Sequence, residues 1–376
     1  LERLCTFRDF AGLVPDSADE LLGPIVRRGW RTLIGGHTGE GKALAVDTPI
    51  PTPDGWKTML DLKPGDLVYG SDGRPTRVTN ATGVMLGNEC FIVRFSDGSE
   101  VVADAEHQWL VHSQGARNRL AALARRAANP HPPSKYARNQ SHLANRPEVK
   151  TTEELAASLA RGERPHSIPC AGPVEKAPRE FEVDPYVLGA WLGDGHTAAA
   201  RMTCHVDDLD HLLSQFKEAG ERIGKLHTSD DRPNVATFSF GVAEHRGKDK
   251  EKTANARLRR IGVLGNKHIP EDYLNGSISQ RLALLQGIVD TDGSVNARGL
   301  VDIGLSDERL ARDVHALALS LGLRAVITKR PTTSKDGWRI KWTSMLPVAR
   351  LPRKAARLRR APIGASACAS PIAAGI

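Results

Sequence analysis

Two acidic residues far apart in this chain stand in the same local setting. Asp194 is the eighth residue of Val187-Leu188-Gly189-Ala190-Trp191-Leu192-Gly193-Asp194-Gly195, and Asp292 is the eighth of Leu285-Gln286-Gly287-Ile288-Val289-Asp290-Thr291-Asp292-Gly293. In both stretches a Gly stands third and another ninth. Two convergent carboxylates form a natural seat for Mg²⁺ (magnesium), so the chemistry to expect is metal-assisted attack on an electrophile. The competing reading is two unrelated core helices that each end in Asp-Gly, and the repetition argues against it.

The elements that must position these acids follow from the same residues. The apolar content of each stretch predicts a buried helix. Gly189 and Gly287 lack side chains that would hold a neighbouring backbone off, so they are the expected helix–helix interface. An acid in the last turn sits at the negative end of the helix dipole, which is unfavourable unless a cation is there. The terminal Gly195 and Gly293 are expected to stop their helices in the left-handed conformation. After the first stretch come a strand over 201–205, an amphipathic helix over 207–219 and a strand over 235–240. After the second come a strand over 300–305, a helix over 307–321 and strands over 323–329 and 338–342. The repeated order predicts a duplicated α/β unit.

The paired stretches resemble the two signature helices of the LAGLIDADG homing endonucleases. Both depart from the family's literal letters, but Gly189/Gly287 and Asp194/Asp292 stand at the matching positions. The resemblance covers roughly residues 181–345. It implies hydrolysis of phosphodiester bonds in both strands of double-stranded DNA, with Asp194 and Asp292 as catalytic residues and Mg²⁺ ligands. It also implies two sheets about a pseudo-two-fold axis, reading a long pseudo-palindromic site as a monomer. Asn266-Lys267-His268-Ile269-Pro270 resembles the block where these enzymes place a basic residue near the metal, so Lys267 is expected to steady the attacked phosphate or tune a water. Lys329, at a late strand end, is a second candidate for that role. Arg324, Lys329, Arg330, Arg339 and Lys341 on the last strands are DNA-binding candidates; the alternative for each is a solubilising surface charge.

Upstream, residues 30–34 read as a strand running into Gly36, four residues, then Gly41-Lys42. That is most of a phosphate-cradling P-loop, in which Lys42 would reach the β/γ-phosphates. The Ser or Thr that should follow is replaced by Ala43, and residues 47–55 are proline-rich and turn-like. Residues 1–42 therefore resemble the opening of a RecA-like or replicative-helicase ATPase interrupted at its most specific point, and no ATPase activity is expected.

Residues 43–113 alternate short strands (58–62, 67–69, 76–79, 91–95, 100–103) with turn signals, an all-β pattern. Their wording resembles the N-terminal half of an intein, the Hint fold. Residues 43–50 with Pro53-Asp54-Gly55 look like its first block, and Asp104-Ala105-Glu106-His107-Gln108-Trp109 like the block carrying the catalytic His. Ala43 offers no nucleophile, and Asp104 stands where many inteins have Thr. Ala43 together with Trp109 two places after His107 resembles the third mechanistic class. There a later Cys attacks the upstream peptide bond directly, while His107 polarises that bond and assists the leaving amine.

Residues 114–180 carry Arg117, Arg119, Arg125, Arg126, Lys135, Arg138, Arg146 and Lys150, with only Glu148 opposing them up to position 150. They read as a basic connector or a DNA-contacting arm, with a short helix capped by Thr152. Residues 346–376 read as a basic tail that stops short. The His-Asn ending of an intein does not appear, the last Asn in the chain is Asn296, and Cys368 is the only late thiol. The fold expected is thus α+β and multidomain, an all-β Hint-like domain followed by a duplicated α/β endonuclease domain.

Composition sets outer bounds. Fifty-two Lys and Arg against 44 Asp and Glu give a net charge of +8, which fits a nucleic-acid partner without proving one. Five scattered cysteines suggest a reducing cytosol and no structural zinc, and no membrane segment is evident. The leading functional reading is a cytoplasmic endonuclease; the alternatives are a self-splicing module, defective here, an ATPase fragment, and a decayed relic.

Overall fold

In a computed structural model of the chain, the residues described are 3–4, 44–95, 99–113, 116, 147–163, 166–243, 249–331, 337–343 and 346–358. They divide into two compact units, the first within Leu1–Val174 and the second Glu175–Arg360. Gly36, Gly41, Lys42, Ala43, Cys368 and seven of the eight named connector bases (all but Lys150) lie outside the described residues.

The first unit is built of short antiparallel strands: β1 (Arg3–Leu4), β2 (Pro49–Thr52), β3 (Gly55–Thr58), β4 (Leu67–Tyr69), β5 (Pro75–Arg77), β6 (Cys90–Arg94), β7 (Glu100–Asp104), β8 (Gln108–Val111) and β9 (Glu148–Thr151). They pair as β1-β6-β7, β2-β3, β4-β5 and β8-β9. Three readings need correction. Part of the proline-rich stretch is a strand, β2, which among the described residues pairs with β3 alone; prolines are tolerated where an N–H need not join a ladder. The strand expected over 58–62 ends at Thr58, because Asp61 Oδ2 accepts from the Thr58 N–H (3.3 Å) and hydroxyl (2.5 Å) and closes a 3₁₀ turn. Helix α1 (Thr152–Ala160) is capped by Thr151, not Thr152: Thr151 and Glu154 exchange hydrogen bonds in a capping box. Residues 148–163 and 166–174, read as connector, are built into this unit. β9 extends the chain's pairing to β8, and Leu155 and Ile168 are buried with Val93, Trp109 and Val111.

The second unit contains α2 (Pro185–Asp194), β10 (Arg201–His205), α3 (Val206–Glu218), β11 (Ile223–Ser229), β12 (Arg232–Phe240), α4 (Ala254–Arg260), α5 (Glu271–Leu274) and α6 (Ile278–Thr291). It continues with β13 (Gly293–Val295), β14 (Leu300–Leu305), α7 (Glu308–Ser320), β15 (Val326–Arg330), β16 (Gly337–Thr343) and α8 (Pro352–Ala355). Each signature helix leads into an antiparallel sheet that carries its own amphipathic helix; the sheet orders are β10-β12-β11 and β13-β14-β16-β15. β11 and β13 are strands the sequence pattern did not reveal. One continuous core joins the apolar faces of α2 and α6 to both sheets.

Local chemistry starts these helices where they start. Asp184 accepts from the N–H groups of Tyr186 and Val187, and Pro185 supplies the preset φ of a first turn. Ser277 and Gln280 form a capping box at the head of α6. The terminal glycines behave differently from expectation. Gly195 is extended (φ −75°), and Gly293 is absent from the positive-φ residues. Their small size serves close approach instead: a Cβ on Gly195 would collide with Trp191, and one on Gly293 would lie 2.7 Å from the Val289 carbonyl oxygen.

Residues 346–358, read as the start of a trailing tail, are part of the second unit. Val348, Ala349, Leu351 and Lys354 are buried there.

Candidate active site

Helices α2 and α6 cross at their glycines. A Cβ on Gly287 would stand 2.5 Å from the Ala190 nitrogen and closer still to the Tyr186 oxygen, and one on Gly189 would stand 3.2 Å from the Gly287 Cα. Backbone therefore meets backbone. A third glycine, Gly193, lets the two C-terminal ends touch: its Cβ would collide with Thr291 Oγ1 and lie 3.3 Å from the Asp292 nitrogen. The sequence pattern had assigned Gly193 no part. Asp194, the last residue of α2, and Asp292, which caps α6, are thus brought to one place.

Two lysines answer the charge at these helix ends. Lys267 donates to the carbonyls of Leu192 (3.1 Å) and Gly193 (2.9 Å) and lies 5.3 Å above the Trp191 ring. Lys354, buried in the folded-back segment, donates to Val289 (2.9 Å), Asp290 (2.7 Å) and Thr291 (3.3 Å). Each ammonium satisfies carbonyls that a helix end leaves without partners, at the negative pole of the dipole. Burial pushes Lys354 down to about 8 and lowers Lys267 as well. Sequence reasoning placed Lys354 only in a basic tail; no local pattern distinguishes it from Arg353 or Arg357.

The acids respond to this setting. Surrounding protein raises Asp292 to about 6, and the charge of Asp194 adds to the rise. Asp194 is raised by the same desolvation although it remains open to solvent. Among the cationic influences, Lys354 leads at Asp194 and Lys267 leads at Asp292, so each acid feels most strongly the lysine seated on the other helix. A pair of carboxylates held together above their ordinary pKa fits a divalent cation, which takes one or two carboxylates and completes its shell from water and phosphate. Among the described residues no group of three His, Cys, Asp or Glu side chains could enclose a metal, so a fully protein-made cage is not what this site offers.

Lys354 is held by a strap of polar contacts. Asp290, buried on α6, accepts from the N–H groups of Arg350 (3.1 Å) and Leu351 (3.0 Å) and from the Tyr186 hydroxyl (2.9 Å). The Arg350 guanidinium stacks 4.4 Å from the Tyr186 ring and donates to Gln286 and Gln215. Arg353 makes a two-pronged ion pair with Asp208 (2.7 and 2.5 Å).

The DNA-contact candidates divide. Arg339 and Lys341 share the solvent face of the second sheet, both close to the Asp302 carboxylate. Lys329 pairs in register with Trp338, so it points to the opposite side of the strand from Thr328, Arg339's partner. Arg324 precedes β15 and is half-buried.

In the first unit, His107 and Trp109 lie edge to face at 4.7 Å, both buried. Thr152 ties them together. Its hydroxyl accepts from the Trp109 indole N–H (2.9 Å) and donates to the His107 carbonyl (3.3 Å), and its N–H donates to that carbonyl at 3.0 Å. Asp104 is buried, and its Oδ2 accepts from Asn88 at 3.2 Å. Leu44 bridges to Ala103, and the Ala45 N–H donates to Val102 (3.1 Å), which sets Leu44 and Ala45 beside the strand that leads into the Asp104–His107 turn. Asn88 and Thr152 were not foreseen as site residues.

Residues 279–355 match a family described as a LAGLIDADG-like domain. The replicative DNA helicase DnaB of Mycobacterium intracellulare is 40% identical over 316 residues, covering 83% of this chain and 48% of the relative; the chain thus spans about half that protein's length. The crystal structure of the MchDnaB-1 intein is 59% identical over a segment covering 18% of this chain and 53% of that one, with a TM-score of 0.18. The homing endonuclease I-DmoI, in complex with DNA and Ca, is 14% identical, with 46% and 95% covered and a TM-score of 0.33.

Proposed function

We propose that this chain, an intein with an embedded LAGLIDADG homing endonuclease of the kind carried by DnaB-type helicases, hydrolyses phosphodiester bonds in both strands of double-stranded DNA with Mg²⁺. The observation that carries the reading is the joined ends of α2 and α6, where Asp194 and Asp292 both lie within electrostatic reach of Lys267 and Lys354. Mg²⁺ held by Asp194 and Asp292 would offset the two like charges and polarise the scissile phosphate. Lys267 and Lys354, anchored on helix carbonyls, hold positive charge where negative charge develops on that phosphate. The anchoring matters because a fixed ammonium costs no reorganisation as the reaction proceeds. The two α/β halves, each a sheet backed by a helix, support a pseudo-two-fold reading of a long, nearly palindromic site by a single copy of the chain. The setting is the cytosol.

The test is cleavage of a duplex spanning the uninterrupted P-loop coding region of the helicase gene. Wild-type protein with Mg²⁺ should nick or cut it. The Asp194→Asn, Asp292→Asn double variant should bind it and leave it intact, and equal cleavage by that variant would overturn the assignment.

A second reading, self-splicing, is favoured by the buried His107, Asp104 and Trp109, on the segment that Leu44 joins by its bridge to Ala103. His107 would protonate the leaving amine, in the manner of inteins that begin without a nucleophile. The mass of purified protein tests it: a joined product lacking residues 43 onward supports splicing, and an unchanged mass rejects it for this chain.

A further inference from the structure

We infer that Asp302, Arg339 and Gly304 form a base-reading station for guanine on the solvent face of the second sheet, with Asp302 holding Arg339 in the reading pose. This rests on the DNA-cleavage reading above and adds to it one specificity-determining group.

The register places the three together. Val301, Ile303, Leu305, Ile340 and Trp342 are buried, so the alternate residues of β14 and β16 face outward. On that face Gly304 is directly opposite Arg339, Asp302 is opposite Lys341, and Thr328 flanks Arg339 from β15. The Asp302 carboxylate accepts from the Arg339 Nε–H at 2.7 Å and from Nη2–H, a two-pronged grip, while Lys341 Nζ stands 3.9 Å away.

The grip uses one edge of the guanidinium. The other edge, ending in Nη1 and the outer Nη2 hydrogen, is by its planar geometry directed away from Asp302. Two parallel N–H groups presented end-on match the O6 and N7 acceptors of guanine in the major groove. An exposed ion pair contributes little stability and must hold a long side chain still. A rigid guanidinium on a sheet face is more useful as a preset donor than as a fastener.

Gly304 supplies the independent observation. It sits mid-strand, where glycine weakens a sheet. Its φ is not in the left-handed range, and a Cβ built on it meets nothing within 4 Å. Neither a turn nor internal packing calls for a glycine here. A missing side chain beside the fixed guanidinium leaves room for a base edge to come down onto the sheet.

The experiment is selection of bound duplexes from a randomised pool by the full chain, with EDTA withholding the metal. Wild type should enrich a guanine at one position or two adjacent ones. Arg339→Ala and Arg339→Lys should each erase that preference, about ten- to a hundredfold at that position, and leave the preferences elsewhere. Asp302→Asn should weaken it while Arg339 remains. Gly304→Val, which suits a strand and whose Cβ has nothing within 4 Å, should fold normally and lose the same preference. A uniform loss of affinity in Arg339→Ala with the base profile unchanged would make Arg339 a phosphate contact and overturn the inference alone. A wild-type protein that selects no sequence would overturn the endonuclease reading with it.

Discussion

Replacing Gly287 by Ala separates packing from helix propensity, because the two push in opposite directions. In an isolated helix the change would favour folding by about 1 kcal/mol. Here the added methyl would stand 2.5 Å from the Ala190 nitrogen, against 3.4 Å for ordinary contact, and the opposing atoms are backbone. The helices must part by about 1 Å, and overpacking of this kind costs roughly 1–3 kcal/mol. The same displacement is carried to the helix ends, where Asp194 and Asp292 must act together. A misplacement of about 1 Å in a catalytic group can lower a rate on the order of a hundredfold. The assays are urea unfolding of the full chain and cleavage of the uninterrupted helicase-gene duplex at saturating Mg²⁺. The variant should unfold at lower urea and cut far more slowly while still binding DNA. An unfolding midpoint at or above wild type, with cleavage intact, would show that the helices do not meet backbone to backbone.

Other predictions test the surroundings of the acids. Asp292 is raised in the folded state, so its contribution to stability is present below its unfolded pKa and is lost as pH rises through about 6. Without metal, stability should fall between about pH 4 and pH 6; Asp292→Asn should reduce that fall, and added Mg²⁺ should oppose it. Lys354→Met should lower cleavage sharply and destabilise the fold by about 1–3 kcal/mol, since the carbonyls of Val289 and Asp290 lose a buried donor; cleavage at the wild-type rate would exclude it from the site. Asp290→Ala strands the Arg350 and Leu351 N–H groups and the Tyr186 hydroxyl, and unfolding in urea should show a loss on the order of 3 kcal/mol. Arg353→Ala should loosen the strap and slow cleavage several-fold with binding unchanged, a split that single-turnover kinetics can read.

What the sequence revealed and what it hid follow one division. Apolar content marked α2 and α6, which are buried on nearly every side, and alternation marked the strands at 201–205 and 300–305, which bury one face against the same core. The Gly and Asp spacing pointed to the helix crossing because steric room and helix polarity are local properties. Lys354 was hidden because its partners are the carbonyls of residues more than sixty positions away, and basic side chains look alike until a fold selects one. Thr152 looked like a helix cap because it is one place from the residue that is one; its actual contact, the Trp109 indole, crosses 43 positions. β11 was missed because exposed Lys225 and His227 interrupt its apolar content. Residues 148–174 looked like linker because their anchoring strand is four residues long and mostly polar.

The strap has a geometric corollary for how this unit sits within a longer polypeptide. Arg179 is bonded through its backbone to Gln280 at the head of α6, and Leu351 through its backbone to Asp290 near the foot. Ten helical residues rise about 15 Å, so one rod of helix fixes the spacing between the incoming and outgoing strands of chain. Each residue inserted into or removed from that rod between Gln280 and Asp290 would slide the two passages of chain relative to each other by about 1.5 Å.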